Sequence, residues 1–252
     1  MITRLVEPFE IEVAALSDTG SERGHNEDHC GKFVKSKTSA LVAVADGMAT
    51  LEGGDLAAQR AVLGLVRSFR ELAPGMTQAQ RLVRAARNTN YELYDMAVVV
   101  PQLRGMSTTL TAVAVSDGDM TAAHVGNSRV YLIRDGYINQ LSKDHTVGAE
   151  AAAETGHYEL KGSNTLTRTL GRELIVSVDL FELDLVQGDV VILCTDGLCR
   201  VFEDLEIAAL VKGLDAATAC RKLVDEANAI GTIDNVTVAV VRVVGETPGV
   251  RR

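Results

Sequence analysis

Short β-type runs joined by tight turns dominate this chain, and they follow one another instead of alternating singly with helices. Residues 12–16, 41–45, 109–115, 120–124, 129–134, 175–183, 190–194 and 236–244 are rich in Val, Ile, Leu and Thr, the composition of strands. Turn signals stand between them, with Ser116-Asp117-Gly118-Asp119 and Arg134-Asp135-Gly136-Tyr137 reading as hairpin loops. A doubly wound parallel sheet needs a helix after each strand, so this order argues against one. It predicts an antiparallel α+β layout, with strands enough for two packed sheets and helices outside them.

Two helices are predicted early, over 55–72 and 77–96. The first carries Leu56, Val62, Leu63, Leu65, Val66 and Phe69 at three- and four-residue steps, with Arg60, Arg67 and Arg70 mostly on the other face. The second repeats the pattern through Leu82, Val83, Ala86, Tyr91 and Leu93, with Thr77 as N-cap. Pro74-Gly75 separates them. Late helices are predicted over 204–212 and 216–229, the latter turning Cys220, Leu223 and Val224 inward and stopping near Gly231. At 252 residues the chain can bury a sizeable core without staples, and its lack of Trp leaves that core to Val, Leu, Ile and Ala. No repeat or linker interrupts it, so residues 1–252 read as one domain with a core over 12–244 and a tail over 245–252.

Charge narrows the function. The net charge of −9 repels polyanions and disfavours nucleic acid as a partner. Cys30, Cys194, Cys199 and Cys220 form no CxxC pair and no zinc-like spacing, as expected of thiols in a reducing compartment. The N-terminal residues do not read as a signal peptide, and no apolar run approaches the roughly 20 residues of a membrane helix. The expectation is a cytoplasmic protein without membrane contact.

Acids follow or precede several apolar strands. Residues 41–45 run into Asp46-Gly47 and residues 190–195 into Asp196-Gly197; Asp234-Asn235 precedes the last strand, and Asn26-Glu27-Asp28 precedes a short strand near Phe33. A carboxylate beside a core needs a cation or a donor. Mg²⁺ and Mn²⁺ take such oxygen ligands, and a glycine after the acid lets backbone approach closely. Asp-Gly is foremost a turn dipeptide, and for Asp117 and Asp135 the polar hairpin contexts favour that reading. Arg23, five residues before Asp28, has the planar fork that grips phosphate.

Taken together, these segments resemble the metal-dependent type 2C protein Ser/Thr phosphatases in their bacterial form. The resemblance runs from about residue 12 to 244. It is carried by Ser17-Asp18-Thr19-Gly20, Arg23, Asn26-Glu27-Asp28, Val44-Ala45-Asp46-Gly47-Met48, Met106-Ser107-Thr108-Thr109-Leu110 and His124-Val125-Gly126-Asn127-Ser128-Arg129. After these come Leu141-Ser142-Lys143-Asp144-His145, Leu166-Thr167-Arg168-Thr169-Leu170-Gly171, Leu193-Cys194-Thr195-Asp196-Gly197-Leu198 and Asp234-Asn235-Val236-Thr237-Val238. The resemblance implies a four-layer α-β-β-α sandwich with a centre for two Mn²⁺ or Mg²⁺ ions at one end. Asp46 would bridge both ions and the Gly47 carbonyl would bind one. Asp196 and Asp234 would share an ion, Asp28 would act on the other through water, and Arg23 would hold the phosphate. A hydroxide between the metals would then attack phosphorus in line. The implied substrates are phosphoserine and phosphothreonine proteins, the implied counterpart a cognate Ser/Thr kinase, and the implied state a monomer.

The chain departs from that pattern in places. Ala49-Thr50 replaces a glycine pair before the first helix. Asn127 stands where bacterial relatives often have an Asp that helps bind a third metal, so a third ion is expected to be weak or absent. The stretch 144–166 is short, with a helical turn expected over 148–154 and a loop over 161–164. Met48 is no general acid, and His25 and His29, which flank the acidic motif, read as surface or supporting residues. A catalytically weak or inactive module of the same fold is the alternative function.

Overall fold

The structure, a computed structural model, describes residues 9–49, 52–73, 75–155 and 164–245. Thr50, Pro74, residues 161–163 of the expected loop and residues 246–252 of the expected tail lie outside them. Among the described residues two antiparallel sheets face each other. One runs β1 (Phe9–Asp18), β11 (Val236–Gly245), β10 (Val190–Cys194), β7 (Arg129–Arg134) and β8 (Tyr137–Gln140). The other runs β2 (Asp28–Ser36), β3 (Ser39–Met48), β5 (Leu110–Ser116), β6 (Asp119–Val125) and β9 (Asp179–Asp184), with the short β4 (Ser107–Thr108) beside the end of β3.

The unbroken apolar runs are explained by burial on both faces. In β3, Leu41, Ala43 and Ala45 pack outward under helices, while Val42 and Val44 face the opposite sheet. In β11, Val236, Val238 and Val240 take the helix side and Ala239, Val241 and Val243 the inter-sheet side. Successive strand residues point to opposite faces, so a strand covered on both sides cannot alternate polar with apolar. Helices α1 (Gly54–Glu71) and α2 (Gln78–Val99) cover the β3 sheet; α5 (Asp204–Val211) and α6 (Ala216–Ile230) cover the β11 sheet. The result is the expected four-layer α-β-β-α sandwich.

Local signals account for the helix ends. Thr77 and Gln80 form a reciprocal capping box at α2. Asp215 accepts from the amides of Ala217 and Thr218 at the start of α6, and Gly231 ends it in a left-handed conformation. Asp117 and Asp135 sit at φ 51° and 52°, so both are hairpin turns as their contexts suggest.

Four expectations need correction. Residues 175–178 are not strand: the Asn90 side chain donates to the carbonyls of Glu173 and Leu174, holding that segment off the sheet, with Leu174 and Ile175 exposed. The region 148–154 belongs to a nine-residue helix, α3 (Val147–Thr155). Leu63 and Tyr91 lie on exposed faces of their helices, because a 3.6-residue period carries them away from the stripes through Val62 and Leu93. Finally, residues Asp196–Cys199 form a helical turn, α4, where the sequence suggested only a strand end.

The inter-sheet layer should be the least tolerant of loss. Leu193→Ala is expected to lower unfolding free energy by about 2–5 kcal/mol, and exposed Leu63→Ala by about 0.5 kcal/mol or less, in urea titrations.

Candidate metal centre

Strand register brings the first two acids together. Asp28 opens β2, Asp46 lies near the end of β3, and the antiparallel pairing sets them directly opposite. The other two come from the facing sheet. Asp196 follows β10 as the first residue of α4, and Asp234 lies just ahead of β11. Because the sheets stack, these ends meet at one end of the sandwich. A cleft of about 450 Å³ opens there, walled by Arg23, Asp46, Gly47, Asn127, Asp196, Arg200 and Asp234, with Thr165, Leu166 and Arg172 on one side.

Asp28 sits behind that wall. It is buried, and its Oδ2 accepts from Thr195 Oγ1 at 2.7 Å, a bond that joins the two sheets. Burial, outweighing the Thr195 and Thr237 hydroxyls, pushes its carboxyl up from 3.8 to about 7. Burial likewise raises Asp46 well above the usual carboxylate range, with repulsion from Asp28, Asp196 and Asp234 added. Asp196 is raised too, first by burial, against the pull of Arg200. In all three the scarcity of water is the first cause, and the neighbouring carboxylates add to it.

Cationic and amide donors meet part of that charge. Arg200 reaches Asp196 at 2.6 Å and Asp234 at 3.0 Å. Arg23 reaches Asp234 at 2.8 Å while its Nε donates to the Ile233 carbonyl. It therefore stands at the cleft. Asn127 Nδ2 donates to Asp196 Oδ2 at 2.8 Å, and its own Oδ1 is buried without a partner. Among the described residues no three His, Cys, Asp or Glu side chains are gathered tightly enough to hold an ion as they stand. The donor set nevertheless fits a hard divalent cation: carboxylate oxygens, the Gly47 carbonyl and an orphaned amide oxygen, with no thiol or imidazole among the described residues of the cleft wall.

Glycine is needed after both acids for a reason the sequence does not disclose. A Cβ at Gly47 would collide with the Gly54 carbonyl at the start of α1, and one at Gly197 with the Asn235 carbonyl. Each glycine lets a second stretch of backbone pass against its Asp.

The supporting groups are mostly polar residues that the motifs contain but to which the sequence assigns no role. Thr109 Oγ1 accepts from the Asp46 amide, and Thr108 Oγ1 donates to the Asp46 carbonyl. Asn235 Oδ1 accepts from the Glu27 amide, while its Nδ2 donates to the carbonyls of Thr19 and His25, so one side chain holds the whole Arg23 loop. His25 contributes its backbone to that loop. Arg129 grips Asp144 through two nitrogens and ties the Asn127 segment to the base of α3. Arg200 was legible in principle: it stands four residues after Asp196, which face each other once that turn is helical.

A sequence model described as "Protein phosphatase 2C" matches residues 21–227, well over half the chain. The chain belongs to the protein phosphatase 2C family. It is 32% identical over 235 residues to the "Serine/threonine phosphatase stp" of Listeria monocytogenes, covering 89% of this chain and 93% of that protein. It is 31% identical over 240 residues to "Serine/threonine protein phosphatase PstP" of Mycobacterium tuberculosis, covering 93% of this chain but 45% of that longer protein. The crystal structure of a PstP catalytic domain with two manganese ions superposes with a TM-score of 0.83 at 30% identity, over 94% of this chain and 99% of that one. This member of the protein phosphatase 2C family thus shares fold and chain length with catalytic domains.

The raised carboxyls make metal-free stability fall with pH. The folded chain keeps protons that the unfolded chain releases, so the stabilisation is complete below about 3.8 and is lost as pH climbs through about 7. With EDTA, calorimetric Tm is expected to drop between pH about 5 and about 8, and Asp46→Asn to flatten that slope. Mn²⁺ is expected to raise Tm most at the alkaline end.

Proposed function

We propose that this chain is a Mn²⁺- or Mg²⁺-dependent phosphoprotein phosphatase that hydrolyses phosphoserine and phosphothreonine, opposing a Ser/Thr kinase. The observation that carries this reading is the convergence of Asp28, Asp46, Asp196 and Asp234 from two sheets on one end of the sandwich, with Arg23 at the cleft. We take residues 12–244 as one catalytic domain. The two manganese ions of the related PstP domain support a binuclear centre here.

In this reading Asp46 would bridge the ions and the Gly47 carbonyl would bind one of them. Asp196 and Asp234 would hold one ion, and Asp28 would act on the other through water. When bound, the metals supply a water acidic enough to attack a phosphate ester and neutralise charge on its oxygens. Arg23 orients the phosphoryl group. Its guanidinium is about half exposed, so it can pivot between Asp234 and an incoming phosphate. The buried Thr108, Thr109 and Ser128 keep the Asp46 backbone fixed, which limits reorganisation during the reaction. Met48 has no proton to offer the leaving alkoxide, which leaves that task to water.

Hydrolysis of a phosphothreonine peptide should require Mn²⁺ or Mg²⁺, vanish in EDTA, and fall by about 10³-fold in Asp46→Asn and about 10²-fold in Arg23→Ala. Activity indifferent to Asp46→Asn would overturn the bridging role, and full activity in EDTA the metal dependence. Asn127 is neutral and its amide already engages Asp196, which supports a weak third ion. Asn127→Asp is expected to raise third-site occupancy, read by anomalous scattering from Mn²⁺-grown crystals. Equal occupancy would contradict it.

A further inference from the structure

Cys194 ends β10 and Cys199 ends α4, and the turn between them brings their Sγ atoms to 3.3 Å. Both thiols are free. A disulfide needs sulfurs about 2.05 Å apart, so the pair lies roughly 1.2 Å of movement from a bond. The two sites are unequal. Cys194 is fully buried, whereas Cys199 is partly exposed. The Tyr131 hydroxyl lies 3.8 Å from Cys199 Sγ, and the Arg129 guanidinium donates to that hydroxyl at 2.9 Å. Cys199 is the less buried of the two residues and its sulfur meets a hydroxyl held by a cation, which makes it the more reactive thiol, with the shielded Cys194 behind it.

The bridge would span the turn that carries Asp196. That turn has little slack: Gly197 is pressed against the Asn235 carbonyl, and Thr232 Oγ1 donates to the Gly197 carbonyl. Drawing Cys199 toward Cys194 therefore shifts Asp196 and Arg200 against Asp234. We propose that Cys194 and Cys199 form an oxidation site, which hydroperoxides convert to an intrachain disulfide that suspends hydrolysis at the neighbouring centre. The loss of hydrolysis rests on the phosphatase reading above; the disulfide itself does not.

The chemistry balances in two steps. Cys199 sulfur attacks the distal peroxide oxygen and the O–O bond breaks, leaving a sulfenic acid and releasing water or an alcohol. Cys194 sulfur then attacks Cys199 sulfur: the S–O bond breaks, the S–S bond forms and a second water leaves with the thiol proton. A dithiol reductant restores both thiols and becomes a cyclic disulfide.

Trypsin provides a direct readout, because the peptide from Glu173 to Arg200 contains both cysteines and neither of the others. Reduced full-length chain is treated with hydrogen peroxide, desalted, loaded with Mn²⁺ and divided. One half is assayed on phosphothreonine peptide; the other is alkylated with iodoacetamide, digested and weighed. The expected peptide is unalkylated and lighter by two hydrogens, and activity falls by about 10²-fold, the scale of a 1 Å misplacement. Dithiothreitol reverses both changes, and Cys199→Ser prevents both. A peptide alkylated at both cysteines after peroxide overturns the proposal, as does a complete disulfide with full activity. Should the reduced enzyme hydrolyse no phosphopeptide, the phosphatase reading fails instead. Mn²⁺ binding by calorimetry then replaces activity as the readout, and a disulfide that leaves that affinity unchanged overturns the proposal.

Discussion

Four carboxylates meet at one end of a sandwich whose inter-sheet core is built mainly of Val, Leu and Ala, and their mutual repulsion is what the surrounding structure must answer. Asp28 and Asp46 face each other across a strand pair, and Asp196 and Asp234 arrive from the opposite sheet. Burial strengthens the repulsion, since little water remains to screen it. The answer has two parts. Arg23, Arg200 and Asn127 donate to the outer acids. In the inner pair, burial raises the carboxyls of Asp28 and Asp46, so both hold their protons to a higher pH than exposed acids do.

A charged cluster of this kind keeps its geometry only if the backbone beneath it does not yield. That rigidity comes from hydroxyls and amides between the sheets. Thr195 reaches from β10 to Asp28, its Oγ1 also accepts from the Thr237 amide, and Thr237 Oγ1 meets Ser17 on β1. Thr109 joins Asp46 to Ser128. These residues suit strands because they are β-branched or small, and they satisfy buried polar groups without adding charge. The glycines of the two site Asp-Gly pairs serve the same compactness, each admitting a neighbouring carbonyl where a side chain would block it.

Much of the fold was legible. The strands over 129–134 and 190–194 stand where their composition places them, and Thr77 and Gly231 bound their helices as such residues do. Two of the exceptions share one cause. Residues 175–178 have strand composition but are held away by Asn90, a residue on another element. The turn at Asp196 is helical where the sequence marked only the end of a strand, and Thr232 donates to the Gly197 carbonyl within it. Local preference loses in both places to a contact from far along the chain.

The candidate site divides in the same way. Asp28, Asp46, Asp196, Asp234 and Arg23 could be named from the sequence, because acids abutting apolar strands need a counter-charge and because the ordered motifs resemble one family. By itself the sequence also settled the layered α+β class, since apolar runs in succession with bunched helices leave few other ways to bury both strand faces. Only the tertiary structure decided which groups meet the acids: Arg200 through a helical turn, Asn127 through a loop tied by Arg129 to Asp144, and Asn235 clasping the Arg23 loop. Those contacts join residues as many as 216 positions apart, and their strength depends on distance in space, which spacing along the chain does not encode.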